Sequence, residues 1–312
     1  MDKPQKRLRK GRIPDVLTPV DIALIATVYR YYFVTIEQVT RALYKPGSYS
    51  TVKNRLYSLE QRGYLLSLYY PTVKKGNSPK IYSIARAGLN ILKEQEYDVP
   101  SRFHPSEKRE KTYFFLQHTL TVNDVLIACA NIEKSYPAIK LANMVHERSL
   151  RLEPEKYPIG IFSEDGRLLR EETFTLIPDG FGEFHIEQGT KRYRSCIFFE
   201  IDRGTTEAKR FKKKIRAYVT YWKTDRLKKK YKARSVTVCY PTTGGEARVA
   251  QMMEWTRDEL KKTHDSREFG NMFVFCALPQ VFDSEWLLLS DVWVRPFQGK
   301  AGKFALLSSN EW

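Results

Sequence analysis

Two short apolar segments that each end in carboxylates constrain this chain more than any other feature. The first ends in Pro178-Asp179, and the second ends in Glu200-Ile-Asp202. Carboxylates that meet at neighbouring strand ends repel one another, and their pKa values rise unless a positive charge lies between them. A hard cation such as Mg2+ is the usual solution, bound by one or two carboxylates, water and substrate phosphate. The pattern therefore predicts a Mg2+ site with Asp179 and Glu200 as its metal ligands.

A strongly basic helical segment follows these carboxylates. Between Gly204 and Lys232 there are twelve Lys or Arg residues and two acids. Apolar residues recur at steps of three and four, which predicts one packed helix over about 205–231 with a charged outer face. Acids in this segment are too few for i,i+4 pairing, so phosphates are the expected counter-charge. We therefore expect DNA-backbone contacts from Lys209, Arg210 and Lys213, with a solvated charged face as the alternative.

The overall charge agrees with a polyanionic partner. The formal net charge is +17 over 312 residues. It is uneven, at +9 over 1–100, −1 over 101–200 and +9 over 201–312. Such a surplus says little about fold but favours nucleic acid as a partner. A generally basic solvated surface is the alternative interpretation, and the length is sufficient for two domains.

Several classes of protein do not match the sequence. No apolar run approaches the roughly 18 residues of a membrane span, and the basic residues 1–12 lack the apolar core of a secretory signal. The four cysteines are isolated within apolar segments, without the paired spacing of a zinc site. We expect reduced core cysteines in a cytoplasmic protein.

Helix signals occur throughout residues 15–63. Thr18 is a predicted N-cap followed by proline, and Thr35 begins a capping box with a glutamine three residues later. Ser48 or Ser50 caps a predicted third helix that ends at Gly63. The buried stripe of this third helix is predicted to consist of Val52, Leu56 and Leu59.

A basic hairpin follows the three helices. Strand-like segments at 64–70 and 80–84 flank a loop with lysines and Gly-Asn, and a last helix is predicted at about 85–95. This order resembles the winged helix-turn-helix family, whose third helix enters the major groove of DNA and whose wing lies along the DNA backbone. The resemblance implies DNA contacts from Tyr49, Ser50, Lys53 and Asn54 and phosphate contacts from Lys74, Lys75 and Lys80. Packing against a protein partner is the alternative.

The remaining chain predicts a second domain. We expect a basic arm at 1–14, the first domain at 15–96, a linker rich in Pro, Ser and charge at 97–112, and the second domain at 113–312. In the second domain a helix over 113–134 is followed by strands at about 140–145, 173–177 and 195–201, the basic helix, and then strand, helix and strand over 235–277. This alternation implies parallel strands with crossover helices. Residues 286–294 are a predicted edge strand.

The layout around Pro178-Asp179 and Glu200-Ile-Asp202 resembles the PD-(D/E)xK nuclease superfamily. The whole chain is similar to the replication-relaxation family of plasmids and mobile elements. This similarity rests on three segments: Pro178-Asp179-Gly, the segment from Phe199 to Glu207, and Lys214-Ile-Arg-Ala-Tyr. The implied fold class is α/β plus winged helix, with a restriction-endonuclease-like domain built on a mixed central sheet. The implied chemistry is Mg2+-dependent phosphodiester hydrolysis.

One position departs from the superfamily pattern. Where the lysine is usual, this chain has Asp202, which is a candidate third ligand or water-orienting base. Lys213 or Lys214 could replace the missing lysine, and we expect Lys214 to neutralise developing charge. His118 and Asp124, on the helix before the strands, could reach the same cleft, although a structural role is the more common case for such residues. An Asp202–Arg203 turn salt bridge is a further interpretation.

Three functions remain open from the sequence. The first is DNA binding with Mg2+-dependent nicking or cleavage, and the second is non-catalytic regulation of replication or transcription. The third is an adaptor for a replication or transposition complex, which would use an exposed patch formed by Trp286, Leu287, Leu288, Leu289 and Trp293. Double-stranded DNA is the expected partner, with such replication or transposition proteins and a second copy of the chain as further candidates, and no membrane.

Overall fold

The chain divides into two compact units, which are described separately. The computed structural model describes residues 16–70, 78–101, 112–233, 235–298 and 302–307. The first unit extends to Leu116 and the second begins at Gln117. The predicted arm, most of the predicted linker, and Lys74 and Lys75 lie outside the described residues.

Within its described residues, the first unit contains helices α1 to α4 and a small antiparallel sheet. Its elements are α1 (Pro19–Tyr31), β1 (Val34–Thr35), α2 (Ile36–Leu43), α3 (Tyr49–Gln61), β2 (Leu65–Tyr69), β3 (Lys80–Ile84) and α4 (Arg86–Glu94). The strand order is β1-β3-β2, and both pairings are antiparallel. The helices and hairpin that the sequence predicts are therefore present, in the predicted order.

Local capping explains where these helices begin and end. Thr18 and Thr35 each form the predicted capping box, with Asp21 and Gln38 as the reciprocal partners. The helix α3 begins after Ser48, whose side chain makes no capping hydrogen bond. Gly63 has a φ of +79°, a conformation that glycine adopts without strain, and it ends this helix. The predicted stripe of α3 forms part of the core: Val52, Leu56 and Leu59 are fully buried.

The second unit is larger and contains the remaining elements. They are α5 (Tyr113–Ser135), which begins just before the unit boundary, β4 (Ile139–His146), α6 (Glu147–Leu150), β5 (Glu155–Phe162), β6 (Leu168–Leu176), β7 (Gly180–Gln188), β8 (Lys191–Phe199), α7 (Ala208–Lys223), α8 (Arg226–Tyr231), β9 (Thr237–Thr242), α9 (Gly245–Lys262), α10 (Ser266–Phe269), β10 (Phe273–Ala277) and α11 (Ser284–Leu289).

A five-stranded mixed sheet organises this unit. Its strand order is β10-β9-β8-β7-β4. The strands β8, β9 and β10 are parallel, whereas β7 is antiparallel to both β8 and β4. The predicted mixed sheet with parallel crossover strands is confirmed. The strands β5 and β6 form a separate two-stranded sheet.

Helices cover both faces of the five-stranded sheet. On one face α7 packs through Phe211 on Tyr240 and through Tyr218 on Phe198. Successive side chains of a strand point to opposite faces, so Phe199 and its partner Gly180 face the other side. There Leu126 of α5 lies against Gly180. The helices α5 and α7 therefore cover opposite faces.

The structure corrects three of the sequence-based predictions. The strands β5 and β7 were not predicted. The basic segment is two helices, not one, because Asp225 has a left-handed backbone conformation that ends the first. Residues 284–289 form a helix capped by Asp283 rather than an edge strand, and Val294 makes a single bridge to Phe275 of β10.

The four cysteines are free and buried, as the sequence predicts. Among the described residues, no helix is both long and apolar enough to cross a membrane.

Candidate functional site

Several strand ends of the second unit meet at one edge of the sheet. Gly180 pairs with Phe199 of β8 and with His146 of β4. The next residue of each strand end, namely Asp179, Glu200 and Glu147, therefore lies at the same edge. The strand β9 is parallel to β8, so its end at Thr242 also reaches this edge, where it bridges to Asp202. The topology thus brings four acidic side chains to one end of the sheet.

Hydrogen bonds to its backbone and contacts to its carboxylate fix the position of Asp179. Its own N–H donates to the carbonyl of Phe199 at 3.0 Å, and its carbonyl accepts from Glu147 N–H at 2.9 Å. The buried carboxylate accepts a hydrogen bond from Ile201 N–H through Oδ2 at 2.7 Å. The second oxygen, Oδ1, lies 3.2 Å from Nε2 of His118 on α5. Both carboxylate oxygens are thereby oriented by groups of the protein.

Two side chains of α7 bind the carboxylate of Glu200. Lys214 donates to Oε2 and Tyr218 donates to Oε1, and the carboxylate is almost completely buried. The two donors lie four residues apart, so they share one face of the helix. The lysine side chain remains 27% exposed, which leaves an approach to this pair from solvent. Asp179, Glu200 and Lys214, which the sequence predicts to act together, therefore lie in one electrostatic cluster.

The charged groups in this cluster shift one another's pKa values. Burial raises the pKa of Glu200 to about 7, although Lys214 opposes this effect. Burial also acts to raise the pKa of Asp179, but His118, the charge of Lys214 and the hydrogen bond from Ile201 N–H together outweigh it and hold the pKa below its usual value. The pKa values of His118 and Lys214 are raised: burial lowers both, and the neighbouring carboxylates more than compensate. Two carboxyl groups in one cluster thus have pKa values shifted in opposite directions.

A second grouping includes Asp179 but not Glu200. One ligand atom each from His118, Glu147 and Asp179 lie within 4.8 Å of one another. Glu147 begins α6, where Arg151 binds its Oε1. The sequence-based prediction paired Asp179 with Glu200 as metal ligands, and it stays a prediction. The ligand atoms of His118, Glu147 and Asp179 lie close enough together to bind one cation.

A buried histidine anchors this grouping. His146 Nδ1 accepts from Arg148 N–H at 3.1 Å and so caps α6. Its other nitrogen, Nε2, lies 3.2 Å from Oδ1 of Asn123 on α5. Since Nδ1 accepts, Nε2 carries the proton and donates. The α6 segment that carries Glu147 is thereby attached to the helix that carries His118.

Asp202 lies in a separate hydrogen-bonded cluster. Arg248 of α9 binds it through two nitrogens at 2.9 and 3.0 Å. Oδ2 also accepts from Thr242 Oγ1 and from Gly204 N–H, each at 2.8 Å. The predicted turn salt bridge is therefore replaced by a bidentate pair with Arg248, while Arg203 donates to Gln117. The catalytic role predicted for Asp202 remains a prediction, but these contacts suit a structural role.

The basic helix α7 has acidic partners from other elements. Lys213 pairs with Glu172 of β6, and Lys212 pairs with Asp258 of α9. These acids come from distant parts of the sequence, so phosphates are not the only counter-charge available to α7, and the DNA contact expected of Lys213 stays a prediction. Lys209 and Arg210 differ: they are exposed in the first turn, without an ion pair among the residues that the structure describes.

In the first unit, the exposed face of α3 carries the predicted contact residues. Tyr49, Ser50, Lys53 and Asn54 are exposed, and Tyr57 continues the same face at 54% exposure. Lys80, also predicted to contact DNA, instead pairs with Glu60 at 2.5 Å and lies near the ring of Tyr57. Lys80 is therefore less available to a phosphate than the sequence implies.

Sequence reasoning missed several residues of the site. Tyr218 was predicted only as an apolar position and as the end of the Lys214-Ile-Arg-Ala-Tyr motif, with no role in the site, although its position four residues after Lys214 places both on one face. Glu147 directly follows a strand, as Glu200 does, and this position was the available signal. Arg248 and His146 gave no sequence signal, because their partners lie 46 and 23 residues away.

Comparison with known proteins gives one finding. A family model described as replication-relaxation matches residues 25–237, which include most of the first unit and the second unit as far as β9. Neither the comparison with curated proteins nor that with solved structures gives a match.

Proposed function

The chain belongs to the replication-relaxation family, and we propose that it is a cytoplasmic protein that binds and nicks double-stranded DNA of a plasmid or mobile element. Family membership itself suggests a role in plasmid or mobile-element replication or relaxation. The observation that carries the nicking proposal is the meeting of Asp179, Glu200 and Lys214 at one sheet edge. Asp, Glu and Lys are the side chains of the PD-(D/E)xK pattern, with the lysine supplied here by a helix.

Each residue of this cluster has a role in the proposed hydrolysis of a phosphodiester. A divalent cation bound at Asp179 would act as a Lewis acid on the phosphoryl oxygen. Lys214, partly exposed beside Glu200, is positioned to neutralise charge that develops on the phosphate. Glu200 has a pKa raised by burial to about 7, which suits proton transfer near neutral pH. His118 orients Asp179.

The first unit is proposed to be a winged helix-turn-helix that reads DNA through α3. Support comes from the helix order, the antiparallel hairpin after α3, and the polar face of α3. Asn54 suits a bidentate contact with adenine, whereas Lys53 suits a phosphate, which positions the protein without reading sequence.

A plasmid assay tests the nicking proposal. Supercoiled plasmid with protein and Mg2+ or Mn2+ should become open circular, and EDTA should prevent the change. Asp179→Asn and Glu200→Gln should each lower the rate at least about 100-fold. Glu187→Gln is the matched control, since this carboxylate is 59% exposed on β7 and pairs with Arg192 across the hairpin. A parent protein that never nicks would remove the proposal.

Non-catalytic DNA binding is the second candidate function. It is favoured by the internal pairing of both acids, since Lys214 and Tyr218 occupy Glu200 and His118 pairs with Asp179. Tight DNA binding by the protein, with no nicking in the presence of Mg2+ or Mn2+, would support this second function. The adaptor alternative has less support, because Leu287, Leu288 and Trp293 of its expected patch are fully buried.

A further inference from the structure

We infer that His118, Glu147 and Asp179 form a binding site for a divalent first-row transition metal, with Glu200 outside its ligand set. This inference deepens the proposed function by naming the ligands of the same site, and it rests on that function for its biological role. The ligand atoms come from three separate elements: α5, the start of α6, and the residue before β7.

The spacing of the three groups agrees with coordination. Metal bonds to imidazole nitrogen and carboxylate oxygen are about 2.0–2.2 Å long, so neighbouring ligand atoms lie roughly 3 Å apart and opposite ones about 4 Å apart. His118 Nε2 lies 3.2 Å from Asp179 Oδ1, and all three ligand atoms lie within 4.8 Å. A small movement of Glu147 or His118 is sufficient to close the set.

Outer contacts hold the two carboxylate ligands before any metal binds. Ile201 N–H fixes Oδ2 of Asp179, which directs Oδ1 towards His118. Arg151 binds Oε1 of Glu147, which leaves Oε2 for a cation. Such outer partners orient metal ligands and tune their affinity in known sites.

Two further hydrogen bonds connect the elements that carry the ligands. Glu147 N–H donates to the carbonyl of Asp179, so two of the three ligands are joined through the backbone. His146 connects the start of α6 to Asn123 of α5, the helix that carries the third ligand. The site is therefore largely preorganised, which lowers the cost of binding.

The ligand types decide which metal is preferred. Imidazole nitrogen suits first-row transition metals such as Fe, Ni and Zn, whereas Mg2+ prefers oxygen ligands throughout. Mn2+ takes the same oxygen ligands as Mg2+ but belongs to the first-row series and also accepts a nitrogen ligand. Glu200 is excluded because Lys214 already neutralises it and Tyr218 donates to its other oxygen. The site should therefore bind Mn2+ more tightly than Mg2+, and His118 should be the residue responsible.

Mn2+ binding to the full chain without DNA tests the site directly. We expect one Mn2+ per chain by calorimetry at pH 7.5. His118→Gln should weaken Mn2+ binding at least about 10-fold and change Mg2+ binding far less. His185→Gln is the matched control, because His185 is an exposed histidine that also pairs with a glutamate, Glu183. Unchanged Mn2+ affinity in His118→Gln, or loss in Glu200→Gln alone, would overturn the assignment.

A spectroscopic measurement needs no variant. Pulsed EPR of Mn2+ bound to 15N-labelled parent should show coupling to one directly bonded nitrogen. Absence of that coupling, or absence of Mn2+ binding, would mean that His118 and Asp179 form only an ion pair. Both measurements are independent of DNA cleavage, so a protein that binds Mn2+ but never nicks would retain the metal site and lose only the proposed nuclease role.

Discussion

Lys214 donates a hydrogen bond to Glu200 from fourteen residues further along the chain. The lysine belongs to a helix and the glutamate follows a strand, yet both lie beside Asp179, which immediately precedes the neighbouring strand. In the PD-(D/E)xK pattern the lysine stands two residues after the acid, and here that position holds Asp202 in a bidentate pair with Arg248. A helical lysine can therefore supply the charge that the strand does not.

Removal of Lys214 should lower the stability of the protein. Lys214→Met leaves Glu200 buried with one fewer partner, which we expect to lower the free energy of unfolding by about 3 kcal/mol at pH 8. The loss should be smaller at pH 5, where Glu200 takes up a proton. Chemical denaturation at the two pH values measures this.

The adjacent lysine provides a matched control for that stability measurement. Lys213→Met breaks a more exposed pair with Glu172, which solvent screens, and should lower the free energy of unfolding clearly less than Lys214→Met does. Equal losses in the two variants would show that the Lys214–Glu200 pair has no special energetic weight.

Asp202 should prove structural. Asp202→Asn removes the charge that Arg248 binds, and we expect a loss of about 3 kcal/mol in the free energy of unfolding because the buried arginine loses its counter-charge. Nicking by the folded fraction should stay within about threefold of the parent. A stable Asp202→Asn variant that has lost about 100-fold in rate would instead assign this residue to the chemistry.

His146 should make the protein sensitive to mild acid. Burial lowers its pKa to about 4, while an unfolded histidine titrates near 6.5. Between these values the unfolded state binds the extra proton, so stability falls as pH decreases from about 6.5 to 4, by up to about 3 kcal/mol for this group.

Thermal or chemical unfolding across that pH range tests the role of His146. His146→Gln should flatten the profile, whereas His185→Gln, at an exposed position, should leave it unchanged. A parent profile that is already flat between pH 6.5 and 4 would contradict the prediction.

Lys209 and Arg210 should contribute to DNA affinity without regard to sequence. Alanine at both positions should weaken binding at low salt and reduce the slope of log K against log salt by about 2. The charge-matched control is Lys191→Ala with Arg192→Ala, at the opposite end of β8 from Glu200. Equal losses in the two double variants, measured by anisotropy at several salt concentrations, would mean that only net charge matters.

Elements with local signals were predictable from the sequence. Thr18, Thr35 and Gly63 mark helix ends through contacts within a few residues, and the structure has those ends. The parallel strands β9 and β10 are recognisable because each is a continuous apolar run. By contrast, β7 contains glycines and alternating polar residues, and this pattern hid the strand that positions Asp179.

The sequence by itself determined which residue types are available: acids after strand-like segments, a basic helix, and a chain with two basic regions. Only the tertiary structure decided their partners. In the folded protein Lys213 pairs with Glu172, Arg248 pairs with Asp202, and Glu147 lies near His118. The physical reason is that charge pairing depends on distance in space, which strand order and register set, whereas capping and periodicity depend on neighbours along the chain.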